Sequence, residues 1–233
     1  MEFENGKKAS PSILVLIAAL NEEDGIGLTL AELRQFLSGF QLLVVDGNSI
    51  DRTVHIAKSL GADVIYQKGK GKGDAIGYAL VHIDHNFDYV VFTDADYTYP
   101  AESILQMIRI IEENPQVGMV CGNRFNAHLH LDAMRDVFYF GNRVIALTHN
   151  LLNGVELRDP LTGLRVIRGE LIKNWQPKSA GFDIEVELNH HVERQGYSIA
   201  EIDIAYRERI GEKKLKLKDG ITILKRIITE STY

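Results

Sequence analysis

Two aspartates one residue apart, Asp94 and Asp96, follow Tyr89-Val90-Val91-Phe92-Thr93, a run apolar enough to be a central β-strand, so both carboxylates ride on rigid backbone. Such a pair suits a hard divalent cation, Mg²⁺ or Mn²⁺, which takes one or two carboxylates and fills its shell with phosphate oxygens, screening a diphosphate. The other use of such a pair is to cap the helix that begins near Ala101. Gly69-Lys70-Gly71-Lys72-Gly73-Asp74 offers a second chemistry, because glycines expose backbone N–H groups and a helix N-terminus attracts anions. It lacks the terminal Lys-Ser/Thr of a Walker A loop, and its alternative is a solvated turn. In Gly181-Phe182-Asp183-Ile184-Glu185-Val186-Glu187, Asp183 and Glu185 either serve as a base toward a hydroxyl or open a helix, where carboxylates are favoured by the dipole.

The elements that must carry these groups alternate in the first half of the chain. Short β-branched runs at 13–18, 42–45, 64–67 and 89–93 are separated by helical patterns reaching to about Leu37, through Leu60 and onward from about Lys72. That alternation predicts parallel strands joined by crossover helices, whose ligands bind beyond the carboxyl ends of the strands. The polar clusters fall at those ends: Asn21-Glu22-Glu23, Asp46-Gly47-Asn48-Ser49, Lys68 to Lys72 and Asp94 to Asp96. The expectation is an α/β fold with a mostly parallel, Rossmann-like central sheet flanked by helices, in one domain spanning 1–233. A chain of 233 residues has ample length for such a core, and a formal net charge of −6 argues against a general nucleic-acid binder. The one cysteine, Cys121, lies in an apolar run and reads as a buried strand thiol. No apolar stretch approaches the roughly 20 residues of a membrane-spanning helix, and Met1 to Ser10 lack the apolar core of a signal peptide, which predicts a cytoplasmic protein.

Taken in order, Ala19-Leu20-Asn21-Glu22-Glu23, Val44 to Thr53, Gly71-Lys72-Gly73 and Asp94-Ala95-Asp96-Tyr97-Thr98-Tyr99-Pro100 resemble the motifs of family 2 glycosyltransferases. Gly122-Asn123-Arg124, Asp159 to Arg165, Gly181 to Glu185 and Tyr206 to Leu215 look like the dolichyl-phosphate mannose synthase branch. The resemblance implies a GT-A fold, a nucleotide-sugar donor, inversion at the anomeric carbon and a polyprenyl phosphate acceptor. It places Asn21, Glu22 and Asp46 around the base and ribose, Lys72 near the donor, and Asp94 and Asp96 around the metal and diphosphate. Many relatives have Asp-Asp-Gly-Ser where this chain has Asp46-Gly47-Asn48-Ser49, and the mannose synthases usually have Gln where it has Thr98; these departures favour a uridine-linked hexose over GDP-mannose.

The acceptor decides the chemistry. A hydroxyl needs a general base, whereas a phosphate monoester is largely dianionic at neutral pH and needs only cations to position it. Arg124, Arg207 and Arg209 are the chosen cations, with Arg143, Arg165 and Lys214 also available. The expected reaction is therefore hexose transfer to a dolichyl or polyprenyl phosphate, catalysed through Asp96, Arg124, Arg207 and Arg209. The alternatives are a glycosyltransferase with a hydroxyl acceptor and a non-catalytic nucleotide-sugar-binding subunit. The eight histidines lack metal-ligand spacing and read as structural. Residues 137–152, apolar but broken by Asn142, Arg143, His149 and Asn150, read as a buried helix ahead of a lipid groove. In the basic segment 213–233, Leu217, Ile221, Leu224 and Ile228 form a stripe at helical spacing that either docks on the protein's own core or lies on the cytoplasmic face of a membrane.

Overall fold

The structure, a computed structural model, describes residues 10–84, 86–125, 137–153 and 155–231; the side chains of 137–140, 153 and 217 lie outside that description, as does most of the 1–10 segment. The elements are β1 (Ile13–Ala19), α1 (Glu23–Phe36), β2 (Phe40–Asp46), α2 (Thr53–Ser59), β3 (Asp63–Tyr66), α3 (Lys72–His82), β4 (Tyr89–Asp94), α4 (Ser103–Glu113), β5 (Val117–Asn123), α5 (Val137–Asn153), β6 (Arg165–Arg168), α6 (Gly169–Ile172), α7 (Ile184–Arg194), β7 (Ser198–Asp203) and α8 (Leu217–Ser231). Seven strands form one sheet in the order β3-β2-β1-β4-β6-β5-β7.

β1 is buried nearly throughout because both sheet faces are covered, as parallel sheets require. Its alternation divides the core: Val15 and Ile17 pack with Ile26, Leu30 and Met107 on one face, while Leu14 and Leu16 pack with Ile76, Ala79 and Leu188 on the other. β1 pairs with β2 on one side and β4 on the other, all parallel, so the strand order reverses beside β1 and opens a crevice at the carboxyl edge. The alternating first half predicts this half of the sheet to within about two residues at the strand ends.

The second half adds one reversal. β6 runs antiparallel to both β4 and β5, with Phe92 opposite Arg165. A reversed strand enters the sheet from the edge where its neighbours end, so residues 159–164 are delivered beside Asp94. Arg165, 1% exposed, anchors that entry by donating to Thr162 O, Pro160 O and Asn189 Oδ1, and so is a pillar of the fold rather than an acceptor ligand. Cys121 is buried in β5 as expected, and burial pushes its thiol up to about 11.

α5, α7 and α8 share a small satellite core of Ile145, Val186, Ile223 and Ile227. The C-terminal stripe is therefore out of phase with its sequence reading. The docked face carries Ile223 and Ile227, with Leu224 at its margin, whereas Ile221 and Ile228 are exposed.

Candidate active site

The carboxyl edge of β1, β2 and β4 opens into a cleft of about 1410 Å³, large enough to hold two substrates together. Glu22, Lys72, Asp94, Asp96, Arg124, Arg207 and Arg209 all line it. Asn21 and Asp46 do not. Asn21, at φ 47°, pins the loop after β2 by donating its N–H to Ser49 Oγ and accepting from Ile50 N on Oδ1. Asp46 is fully buried; Oδ2 accepts from Ser49 N at 2.9 Å, while Oδ1 has no hydrogen-bond partner among the described residues.

Asp94 ends β4, and Asp96 lies in the loop that α1 supports. A Cβ on Gly25 of α1 would stand 2.7 Å from Ala95 O and 2.8 Å from Asp96 Cα, so only glycine lets the helix approach that closely. Tyr97 holds φ 63°, a costly value for an aromatic residue, fixed by its N–H donating to Thr29 Oγ1 and by Arg207 lying 4.5 Å over its ring.

Lys72 Nζ lies 2.6 Å from Asp94 Oδ1 and 2.7 Å from Glu185 Oε1. Burial alone would lower the lysine's pKa, but Asp94 and then Glu185 drive it well above its ordinary value, so it stays an ammonium ion. Burial alone would likewise raise Asp94, yet Lys72 outweighs it and holds that carboxyl below its ordinary range. Asp96 moves the other way, raised first by burial and then by the neighbouring Asp94 charge. Its Oδ1 accepts from Thr98 Oγ1 at 2.6 Å and its Oδ2 from Arg209 Nη1 at 2.6 Å.

The glycine loop resolves differently from a phosphate cradle. Gly73 N and Asp74 N donate to Gly181 O and Ala180 O, and a Cβ on Gly71 or Gly73 would collide with Ala180 O or Ser179 O. The glycines let the start of α3 pack on the 179–181 turn, which brings Lys72 and Glu185 together.

The expected acceptor cations are each held by a carboxylate. Arg124 is bidentate to the buried Asp159 through Nε at 2.6 Å and Nη2 at 2.7 Å, Arg207 is bidentate to Glu32 at 2.7 and 2.9 Å, and Arg209 bridges Asp96 and Glu22. Lys214 pairs with Glu22 at 3.3 Å, and Arg143 is exposed on α5. Asp159 and Glu32 were not picked out by sequence. Glu32 had a signal, since it recurs at helical spacing with Ile26, Thr29 and Leu33 on the buried face of α1, where a lone acid must have a partner.

Asp183 and Glu185 part company. Asp183 accepts from Ser179 Oγ and Arg226 Nε, which makes it a strut between α7 and α8, while Glu185 lines the cleft. Three of the described histidines pack into the interior: His149 and His190 are buried with ring centroids 5.3 Å apart, and His191 stacks on Trp175. Among the described residues no group of three or more His, Cys, Asp or Glu side chains could hold a metal alone. Asp94 and Asp96 nevertheless both line the cleft, two carboxylates being the number a cation needs when phosphate oxygens complete its shell, and Asp94 packs against Gly163, where a Cβ would stand 2.5 Å from Oδ2.

A model of glycosyl transferase family 2 matches residues 14–175. The chain is similar to a dolichyl-phosphate hexose transferase of Haloferax volcanii, at 34% identity over 206 residues, 87% of this chain and 86% of that protein. It is also similar to glycosyltransferase AglJ of the same organism, at 32% over 200 residues, where it spans 64% of the relative's length. Among solved structures, glucosyl-3-phosphoglycerate synthase from Mycobacterium tuberculosis with Mn²⁺, UDP-glucose and phosphoglyceric acid superposes with a TM-score of 0.77 at 21% identity, covering 97% of this chain and 81% of that one. The same enzyme's complex with Mg²⁺ and UDP gives the same score.

These structures correct the expected branch and acceptor. The fold that matches nearly the whole chain also serves an enzyme solved with phosphoglyceric acid, so it does not single out the dolichyl-phosphate mannose synthase branch; the acceptor in the Haloferax protein's name belongs to that protein. The site agrees, because the three arginines expected to seat a polyprenyl phosphate are neutralised by Asp159, Glu32, Asp96 and Glu22. Among the described residues no helix is long and apolar enough to cross a membrane, and of the two uses expected for the C-terminal segment α8 takes the docked one, packing on α5 and α7 through Ile223 and Ile227. The cleft at the β1–β4 switch point, its paired aspartates and the family match together identify the chain as a member of glycosyl transferase family 2, a hexosyltransferase of GT-A fold.

Proposed function

We propose that this enzyme moves a hexose from a nucleoside diphosphate sugar to a hydroxyl acceptor, with Glu185 as the general base. The observation that carries the reading is the Asp94–Lys72–Glu185 bridge, 2.6 and 2.7 Å long, which sets a carboxylate in the cleft beside the aspartates expected to face the diphosphate. A phosphate acceptor has no use for such a base, and a hydroxyl requires one.

In this reading Asp94 and Asp96 hold Mg²⁺ or Mn²⁺ together with diphosphate oxygens, and the cation when bound supplies charge screening for the departing nucleoside diphosphate. Glu22, which lines the cleft and whose Oε2 lacks a partner among the described residues, offers an acceptor for base or ribose donors. Lys72 keeps Glu185 and Asp94 in fixed relation, and Glu185 takes the hydroxyl proton as the acceptor oxygen bonds to the anomeric carbon and the diphosphate leaves. A single displacement of this kind inverts the anomeric configuration. A uridine-linked hexose is the first donor to try, given Gly47 and Thr98 in the donor motifs.

Nucleoside diphosphate release, measured with Mn²⁺ and a panel of UDP- and GDP-hexoses, tests the reading. Stimulation by hydroxyl compounds that vanishes in Glu185→Gln is expected. Stimulation by hydroxyl compounds that survives in Glu185→Gln would refute the base assignment.

A further inference from the structure

Residues 204–216 carry no regular secondary structure yet cross the cleft on two kinds of fastening. The first lies away from the reacting edge. Arg207 N donates to Thr98 O at 2.9 Å, and the Arg207 guanidinium forks onto Glu32, whose Oε1 also accepts from Ala101 N. The second sits on the aspartate pair itself. Ile210 N donates to Asp96 O at 3.2 Å, Arg209 Nη1 reaches Asp96 Oδ2 at 2.6 Å, and the same guanidinium with Lys214 covers the buried Glu22. Arg209 therefore engages the carboxylate that a divalent cation would need, on Oδ2, while Thr98 Oγ1 donates to Oδ1.

We infer that Arg209 and the divalent cation compete for Asp96, so that residues 208–215 form a strap latched by Arg209 while the cation is away and released when it binds, with Arg207–Glu32 as the hinge that stays closed. The inference rests on the assignment of the cation to Asp94 and Asp96. A guanidinium and a dication at one carboxylate repel each other strongly, and when Arg209 gives way the segment it was holding is freed. Once released, Arg209 sits on a tethered segment at the cleft mouth, where it can turn toward the negative charge of a nucleoside diphosphate.

The test uses the whole protein and Mn²⁺ alone, with two readouts. In the parent protein, amide hydrogen exchange across 208–215 should accelerate on Mn²⁺ addition while that of 204–207 stays unchanged. In Arg209→Gln the strap should exchange fast without Mn²⁺, and Mn²⁺ titrated by paramagnetic resonance should bind about tenfold more tightly, the scale of one lost charge-assisted bond. Arg209→Lys, which keeps the charge without the fork, separates the latch from simple repulsion, since it should also exchange fast without Mn²⁺. Strap exchange that slows or does not change when Mn²⁺ binds the parent overturns the latch and leaves the cation assignment standing. Failure of Mn²⁺ to bind either the parent or Arg209→Gln overturns the assignment itself.

Discussion

Glu185→Gln isolates proton removal from everything else the cleft does. The amide keeps the shape of the carboxylate, and Lys72 Nζ retains Asp94 Oδ1 at 2.6 Å as a partner, so the variant leaves no buried cation without a counter-charge. A positioned general base accounts for about 10²–10⁴ in rate, which corresponds to about 2.7–5.5 kcal/mol of barrier. The loss should fall on kcat, with the KM for the donor within about threefold of the parent, because no donor contact is assigned to Glu185. Asp183→Asn is the matched control two residues away. It weakens the links to Ser179 Oγ and Arg226 Nε and should cost about 1–3 kcal/mol of stability with kcat little changed. Steady-state release of nucleoside diphosphate gives kcat and KM, and thermal unfolding gives stability. A Glu185→Gln enzyme within about threefold of the parent kcat, or an Asp183→Asn enzyme that folds normally but loses activity equally, would refute the assignment.

Asp96→Asn should bind Mn²⁺ at least about 100-fold more weakly and lose chelator-sensitive turnover while keeping its Tm, since the amide can still accept from Thr98; near-normal turnover in that variant would sink the cation site. Gly163→Ala places a methyl 2.5 Å from Asp94 Oδ2 and should lower donor affinity and kcat with little loss of fold, measured by donor titration; an unaffected enzyme would mean that Asp94 moves freely. The buried pair His149 and His190, both pushed down to about 4 by burial, stays neutral in the fold while the unfolded chain takes up protons near 6.5. Stability they contribute is present above about pH 6.5 and lost as pH falls toward 4, so Tm measured against pH should drop steeply there, and a flat profile would contradict it. Glu193 runs the opposite way: burial raises it to about 7, so ionising it costs stability as pH climbs from 4.5 through 7, and Glu193→Gln should raise Tm at pH 8 relative to the parent.

That Glu22, Lys72, Asp94 and Asp96 gather at one edge of the sheet was legible because it follows from local pattern, whereas Asn21 and Asp46, expected beside them, do not line the cleft. Asp94 and Asp96 stand at the end of a strand whose burial follows from Val90, Val91 and Phe92, and parallel crossovers oblige Glu22, Lys72 and Asp94 to meet at one edge. The partners that fix the behaviour of the charged groups were not legible, because they come from far along the chain: Arg207 reaches Glu32 across 175 positions and Arg209 reaches Glu22 across 187. No local period encodes such pairings. Counting arginines as free cations therefore overstated the positive charge of the cleft and drew the acceptor toward a phosphate. The C-terminal helix was legible as amphipathic but not in phase, since its isoleucines recur on both faces and only the packing of α5 and α7 selects Ile223 and Ile227.

The reversal of β6 divides the cleft by ancestry in the chain. One wall is written by residues 18–99 as successive crossover units, the other by residues after Asn123, most of them in a stretch that enters the sheet backwards and then loops over the top. The two walls can consequently be exchanged as units between homologues of this fold. Exchange carries three conditions of compatibility, because Glu32 must still meet an arginine at 207, Asp96 one at 209, and Asp94 a glycine at 163. A chimera joined in the segment after Asn123 that keeps those three matches inherits a working seam, and one that breaks any of them brings two sound halves together around a mismatched charge or a collision.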